Sequence, residues 1–157
     1  MADELARGNQ FLGAGIAFPL RLDAQGRFAM NSLEDHVRQS ILLILQTARG
    51  ERVMRPDFGA GLQDLLFSPA TAATAALAEH TVRDALTRFE PRIDVLKVAA
   101  NVDPKQQDVA VIGTKQGPVR IDPKQESILL IDIQYRVRRT DTIFNLVYPF
   151  YLERGEL

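Results

Sequence analysis

The sequence predicts an α+β fold: two amphipathic helices packed on a C-terminal, mainly antiparallel sheet. Three observations predict it. Apolar residues recur every three or four positions in two stretches of the first half, and after Pro91 they recur every second position. Asp103-Pro104-Lys105-Gln106 and Asp122-Pro123-Lys124-Gln125 place Asp before Pro, as type I turns between strands favour. The 157 residues, 46% of them hydrophobic, suffice for one core without disulfide staples.

Taken in order, the elements divide the chain into an N-terminal arm (1–15), one domain (16–152) and a short tail (153–157). The arm is polar, with Gly8, Gly13 and Gly15, and reads as flexible. Residues 16–22 form a short extended piece, which Pro19 assigns to an edge. Asp23-Ala24-Gln25-Gly26 is turn chemistry, and Ser32 with Asp35 resembles a capping box that opens a helix near Leu33. Leu33, Val37, Ile41, Ile44, Leu45 and Ala48 make its apolar face, and Gly50 should end it.

A long loop follows, broken by Pro56, Gly59 and Gly61 and anchored by Leu65-Leu66-Phe67. Ser68-Pro69 opens a second helix, with Ala75, Ala78, Val82, Ala85, Leu86 and Phe89 on one face. Pro91 ends it, because proline lacks a backbone donor and forces the preceding residue out of helical angles. Strands are predicted at 95–102, 108–112, 119–121, 128–138 and 142–152. In the fourth, Ile131, Ile133, Tyr135 and Val137 share one face and Asp132, Gln134, Arg136 and Arg138 the other. The last strand contains Pro149 and should be an edge, where another strand can pair.

Composition narrows the chemistry. With no cysteine there are no disulfides, thiolate nucleophiles or thiolate metal sites. Nineteen basic against twenty acidic residues give no field that favours nucleic acid, and no apolar run reaches membrane-spanning length. The N-terminus lacks signal-peptide character, so a cytoplasmic origin is expected. His36 and His80 belong to no ligand-spaced cluster and read as exposed or capping residues, so neither a metal nor a cofactor is expected. The Gly13/Gly15 and Gly59/Gly61 pairs lack a phosphate-cradling context and fit flexible loops. Arg136, Arg138 and Arg139 read as a solvated strand face, with a partner's carboxylates as the alternative. Glu90 and Arg92, fixed by Pro91 at a helix-to-strand corner, either pair with each other or complete a charge pair with a partner.

Four segments in order resemble the small baseplate wedge proteins of contractile phage tails and injection machines, a family also labelled tail-lysozyme-like. They are Ile16-Ala17-Phe18-Pro19-Leu20, Gly50-Glu51-Arg52-Val53-Met54-Arg55-Pro56-Asp57-Phe58-Gly59, Phe89-Glu90-Pro91-Arg92-Ile93, and the run from Phe144 to Leu152. The resemblance covers about residues 16–152; the segment 114–125 does not match it.

The resemblance implies a noncatalytic structural role. Glu90, Pro91 and Arg92 would grip the helical core bundle of the wedge. The edge strand Asn145, Leu146, Val147, Tyr148, Phe150 and Tyr151 would pair with the tail sheath subunit and start sheath assembly. It also implies about six copies per particle in the baseplate of a tail-like particle, with no small-molecule substrate. A peptidoglycan hydrolase, suggested only by the family's label, and a regulatory binding module are the alternatives.

Overall fold

The computed structural model describes residues 12–102 and 127–152. Strand β1 (Ala14–Ile16) pairs antiparallel with β2 (Met30–Ser32), with Gly15 opposite Asn31. The intervening chain turns at residues 23–26 as expected. Gly26 N–H donates to the Asp23 carbonyl at 3.0 Å, and the Asp23 carboxylate accepts the Gln25 and Arg27 amides at 2.9 Å each. These two bonds and the Arg27 side chain hold the Asp23 carboxyl below its ordinary range. The extended piece predicted at 16–22 is shifted: regular pairing ends at Ile16, leaving an isolated bridge between Leu22 and Phe28. Strand β2 escapes the sequence pattern, because three residues carry no measurable period.

Helix α1 (Leu33–Gln46) starts where predicted, but the Ser32 side chain makes no cap bond, so the capping box does not form. It also stops before Gly50. Thr47 donates both its hydroxyl, at 2.6 Å, and its amide, at 3.1 Å, to the Leu43 carbonyl, and the chain turns away there. Gly50 closes the following loop instead, through its amide and the Pro56 carbonyl. That loop contains a 3-10 turn (Leu62–Leu65) and anchors itself through Ala60, Leu62 and Leu65, whereas Phe67 is exposed.

Helix α2 (Ala72–Phe89) begins later than Ser68, because Thr71 is its cap: the Thr71 hydroxyl accepts the Thr74 amide at 3.3 Å. Strands β3 (Ile93–Val102), β4 (Ser127–Val137) and β5 (Thr142–Leu152) form an antiparallel sheet in that order. The strands predicted at 108–112 and 119–121, and both Asp-Pro turns, lie outside the described residues.

The inward face of β4, with Ile131, Ile133, Tyr135 and Val137, joins Val37, Ile41, Ile44, Leu45, Val82, Leu86 and the β5 residues Leu146, Phe150 and Leu152 in one core. Each fully buried aliphatic side chain contributes about 1.5–3 kcal/mol, so the two helices are held mainly by this face. α2 lies chiefly along β3 and α1 beside the β1–β2 pair, which puts the end of α2, the start of β3 and the N-terminal segment together.

Candidate docking corner and sheet edge

The corner is built by the end of α2. Glu90 closes the helix with its amide on the Leu86 carbonyl at 3.0 Å, and Ile93 N–H returns to the Glu90 carbonyl at 3.3 Å. Between them Pro91 is exposed. Glu90 itself is 1% exposed. Its two carboxylate oxygens are occupied by Arg92, through Nε at 2.6 Å and through Nη2, and the Arg92 side chain is only 18% exposed. Arg92 Nη1 also donates to the Leu12 carbonyl at 2.6 Å. Of the two readings open at the sequence level, the internal pair is therefore the one present in the isolated chain. Desolvation is tolerated here because the fork geometry satisfies both oxygens.

This pair does more than end a helix, because it ties down the N-terminal segment. Leu12 is fully buried, and Gly13 accepts the Leu33 amide at 3.3 Å. The expected flexible arm is thus packed over residues 12–15. His36 lies beneath it: a Cβ on Gly15 would stand 2.7 Å from the His36 ring, which explains the glycine better than loop flexibility does. His36 is half-buried, and its Nδ1 has no partner among the described residues, so it is neither exposed nor a cap. Burial, followed by the Arg92 charge, lowers its pKa from 6.5. His80 is exposed, as read. Behind the corner, burial pushes the Tyr135 hydroxyl up to about 12.

Arg136, within β4, and Arg138, just past its end, are engaged within the chain. Arg136 and Arg138 both pair with Asp94 of β3, at 3.1 and 2.8 Å, and Arg136 also reaches Asp141 at 3.3 Å. These arginines hold the Asp94 carboxyl below its ordinary range. They form a cross-strand charge cluster rather than a merely solvated face.

Among the described residues the outer strands of the sheet are β3 and β5, and they differ. β3 is interrupted by a register shift between Val95 and Lys97, and its Ala100 amide is taken by Glu79 of α2 at 2.8 Å. Bulges and such covers keep an edge from recruiting strands. β5 runs eleven residues in unbroken register, from Thr142 opposite Val137 to Leu152 opposite Ser127. Its other side pairs with no strand among the described residues. Ile143, Asn145 and Tyr151 are exposed, Val147 and Tyr148 are half-buried, and Leu146 and Phe150 point into the core. The predicted edge residues therefore share one strand, but only some of their side chains face outward. The corner and this edge do not form one site.

Comparison with known proteins gives these surfaces a context. A family model described as baseplate wedge protein gp25 matches residues 31–142, which include both helices and the corner. The chain belongs to the baseplate wedge protein gp25 family. Within this wedge family, the baseplate wedge protein gp25 of Enterobacteria phage T4 is 40% identical over 76 residues, 48% of this chain and 56% of that protein. Baseplate protein W of Escherichia phage P2 is 36% identical over 64 residues, 41% of this chain and 56% of that protein. The matches thus span about half the length of these relatives. A crystal structure of a candidate tail lysozyme from Geobacter sulfurreducens is 44% identical, with TM-score 0.61 over 82% of this chain and 99% of that one. A chain of the anti-feeding prophage baseplate shares the fold at 20% identity, with TM-score 0.58 over 96% of this chain and 94% of that one.

Proposed function

We propose that this protein is a noncatalytic structural component of the baseplate in a contractile tail or injection system, joining the wedge core bundle to the first sheath ring. The observation that carries the sheath part is the β5 edge: eleven residues in continuous register, against a β3 edge that is bulged and partly covered. Strand addition to such an edge distributes load over a row of main-chain hydrogen bonds. The wedge part rests on the corner. There the Glu90–Arg92 pair sets the backbone of an exposed Pro91 and holds the N-terminal segment against it, so the bundle meets a prearranged surface instead of two free charges. About six copies per particle follow from the symmetry of such tails.

A hydrolase reading lacks an equivalent arrangement. The groove beside the β1–β2 pair, about 760 Å³, has one carboxylate, Asp35, among its described lining residues, where glycoside hydrolysis uses two. The buried carboxylate Glu90 has both oxygens bound by Arg92.

Cutting the chain before Asn145 would remove Leu146, Phe150 and Leu152 from the core, so truncation cannot isolate the role of the edge. Ile143→Lys, Asn145→Lys and Tyr151→Lys change exposed positions only, and lysines on an edge oppose strand addition. The combined variant is expected to keep its melting temperature and to give baseplates that carry no sheath in electron micrographs. Sheath nucleation at the wild-type level would refute the edge role.

A further inference from the structure

The loop between α1 and the 3-10 turn carries a feature that neither the corner nor the edge explains. Val53 and Met54 are each 90% exposed, at the tip of a tight turn in which Arg55 N–H donates to the Arg52 carbonyl at 3.2 Å. Met54 has φ +68, at the turn position where a glycine is ordinarily preferred. An unbranched apolar side chain is thus held in water by a backbone angle that disfavours it, and strain of this kind collects at binding sites.

The tip is held on a braced support. Gly50 N–H bonds the Pro56 carbonyl at 2.9 Å, the Glu51 carboxylate accepts the Ala48 amide at 2.8 Å, and the Arg52 guanidinium lies 3.8 Å above the Phe58 ring. Phe58 in turn packs on Phe89 with ring centroids 5.0 Å apart, and Arg88 bonds Asp57 at 3.0 Å. The loop itself carries Arg49, Arg52 and Arg55 against Glu51 and Asp57, and Asp57 is shared between Arg55, at 3.4 Å, and Arg88, so the exposed charge on this support is net basic. Phe89 and Arg88 immediately precede Glu90, so this loop is continuous with the corner.

We propose that Val53 and Met54 form a docking knob that inserts into an apolar pocket, rimmed by carboxylates, on the wedge protein that meets the Glu90–Arg92 corner. The inference rests on the baseplate reading and adds a second contact to it. Methionine and arginine are favoured at interface centres, and charge complementarity calls for an acidic rim. Nucleic acid fits less well, because the two residues at the tip are apolar and two carboxylates share the loop.

Peroxide footprinting tests this, since thioether oxidation follows exposure. In purified tail particles, Met54 is expected to oxidise about ten-fold more slowly than in the free chain. Met54→Ser and, separately, Arg55→Glu should each lower incorporation of the chain into particles while leaving the isolated protein folded. Equal Met54 oxidation in particles that contain the chain would overturn the knob and leave the baseplate reading standing. Absence of the chain from particles would overturn both. Protection that disappears on nuclease digestion would assign the loop to nucleic acid, and normal incorporation of Arg55→Glu would remove the acidic rim; either result overturns the proposal as stated.

Discussion

Removing Arg92 strands a carboxylate that is 1% exposed, whereas removing Glu90 leaves a guanidinium that still has the Leu12 carbonyl and some water. Breaking a buried pair from the side that leaves an unpaired charge typically costs about 3–5 kcal/mol, and replacing both partners with apolar residues of similar size is often nearly neutral. Arg92→Ala is accordingly expected to lower stability in urea titrations by about 3–5 kcal/mol, and Glu90→Leu with Arg92→Met by much less. A loss below about 1 kcal/mol for Arg92→Ala would show that the pair is not structural. His36 gives a pH-dependent counterpart. Its folded pKa lies below the ordinary 6.5, so the unfolded chain binds the proton more readily. Its contribution to stability is complete above the unfolded value and is lost as pH falls through 6.5 toward the lower folded one. Melting temperatures measured across that window should decline with acidification, and His36→Gln should flatten the decline.

Elements depend on contacts that the sequence does not advertise. The junction between α1 and its loop needs Gly59, which has φ +113 and whose Cβ would stand 2.3 Å from the Thr47 carbonyl oxygen. Gly59→Ala must therefore move backbone, and a loss of more than about 2 kcal/mol is expected by chemical denaturation, a value typical of forced backbone conformations. The amphipathic patterns of α1, α2 and β4 were legible because each repeats over several turns or residue pairs. The early stop of α1 was not legible, because it comes from one threonine returning two hydrogen bonds to Leu43. Thr71 likewise displaces Ser68 as the α2 cap through a bond that a linear reading cannot rank. Strand β2 is too short to show a period, and the Glu79 bond to Ala100 spans 21 residues.

At the scale of the molecule, the sequence made the α+β class, the edge position of β5 and the sharp corner at Pro91 legible, since period and proline chemistry are local. It left open whether Glu90 and Arg92 face each other or a partner. That choice depends on Leu12, eighty positions away, whose carbonyl fixes the third edge of the guanidinium. Among the described residues, one outer strand of the sheet is partly covered and the other is open. α2 covers part of β3, while β5 keeps a straight edge on a strand whose inward residues are locked in the core. Such an edge can accept a strand without rearranging the fold, which is what the proposed adaptor role would require.

The most direct measurement is a cryo-electron microscopy map of the assembled particle at a resolution that traces main chain. A sheath strand is expected in regular hydrogen-bonded register along Thr142–Leu152, with wedge helices against Pro91. A map in which the β5 edge faces solvent, with the sheath contacting the chain elsewhere, would contradict it.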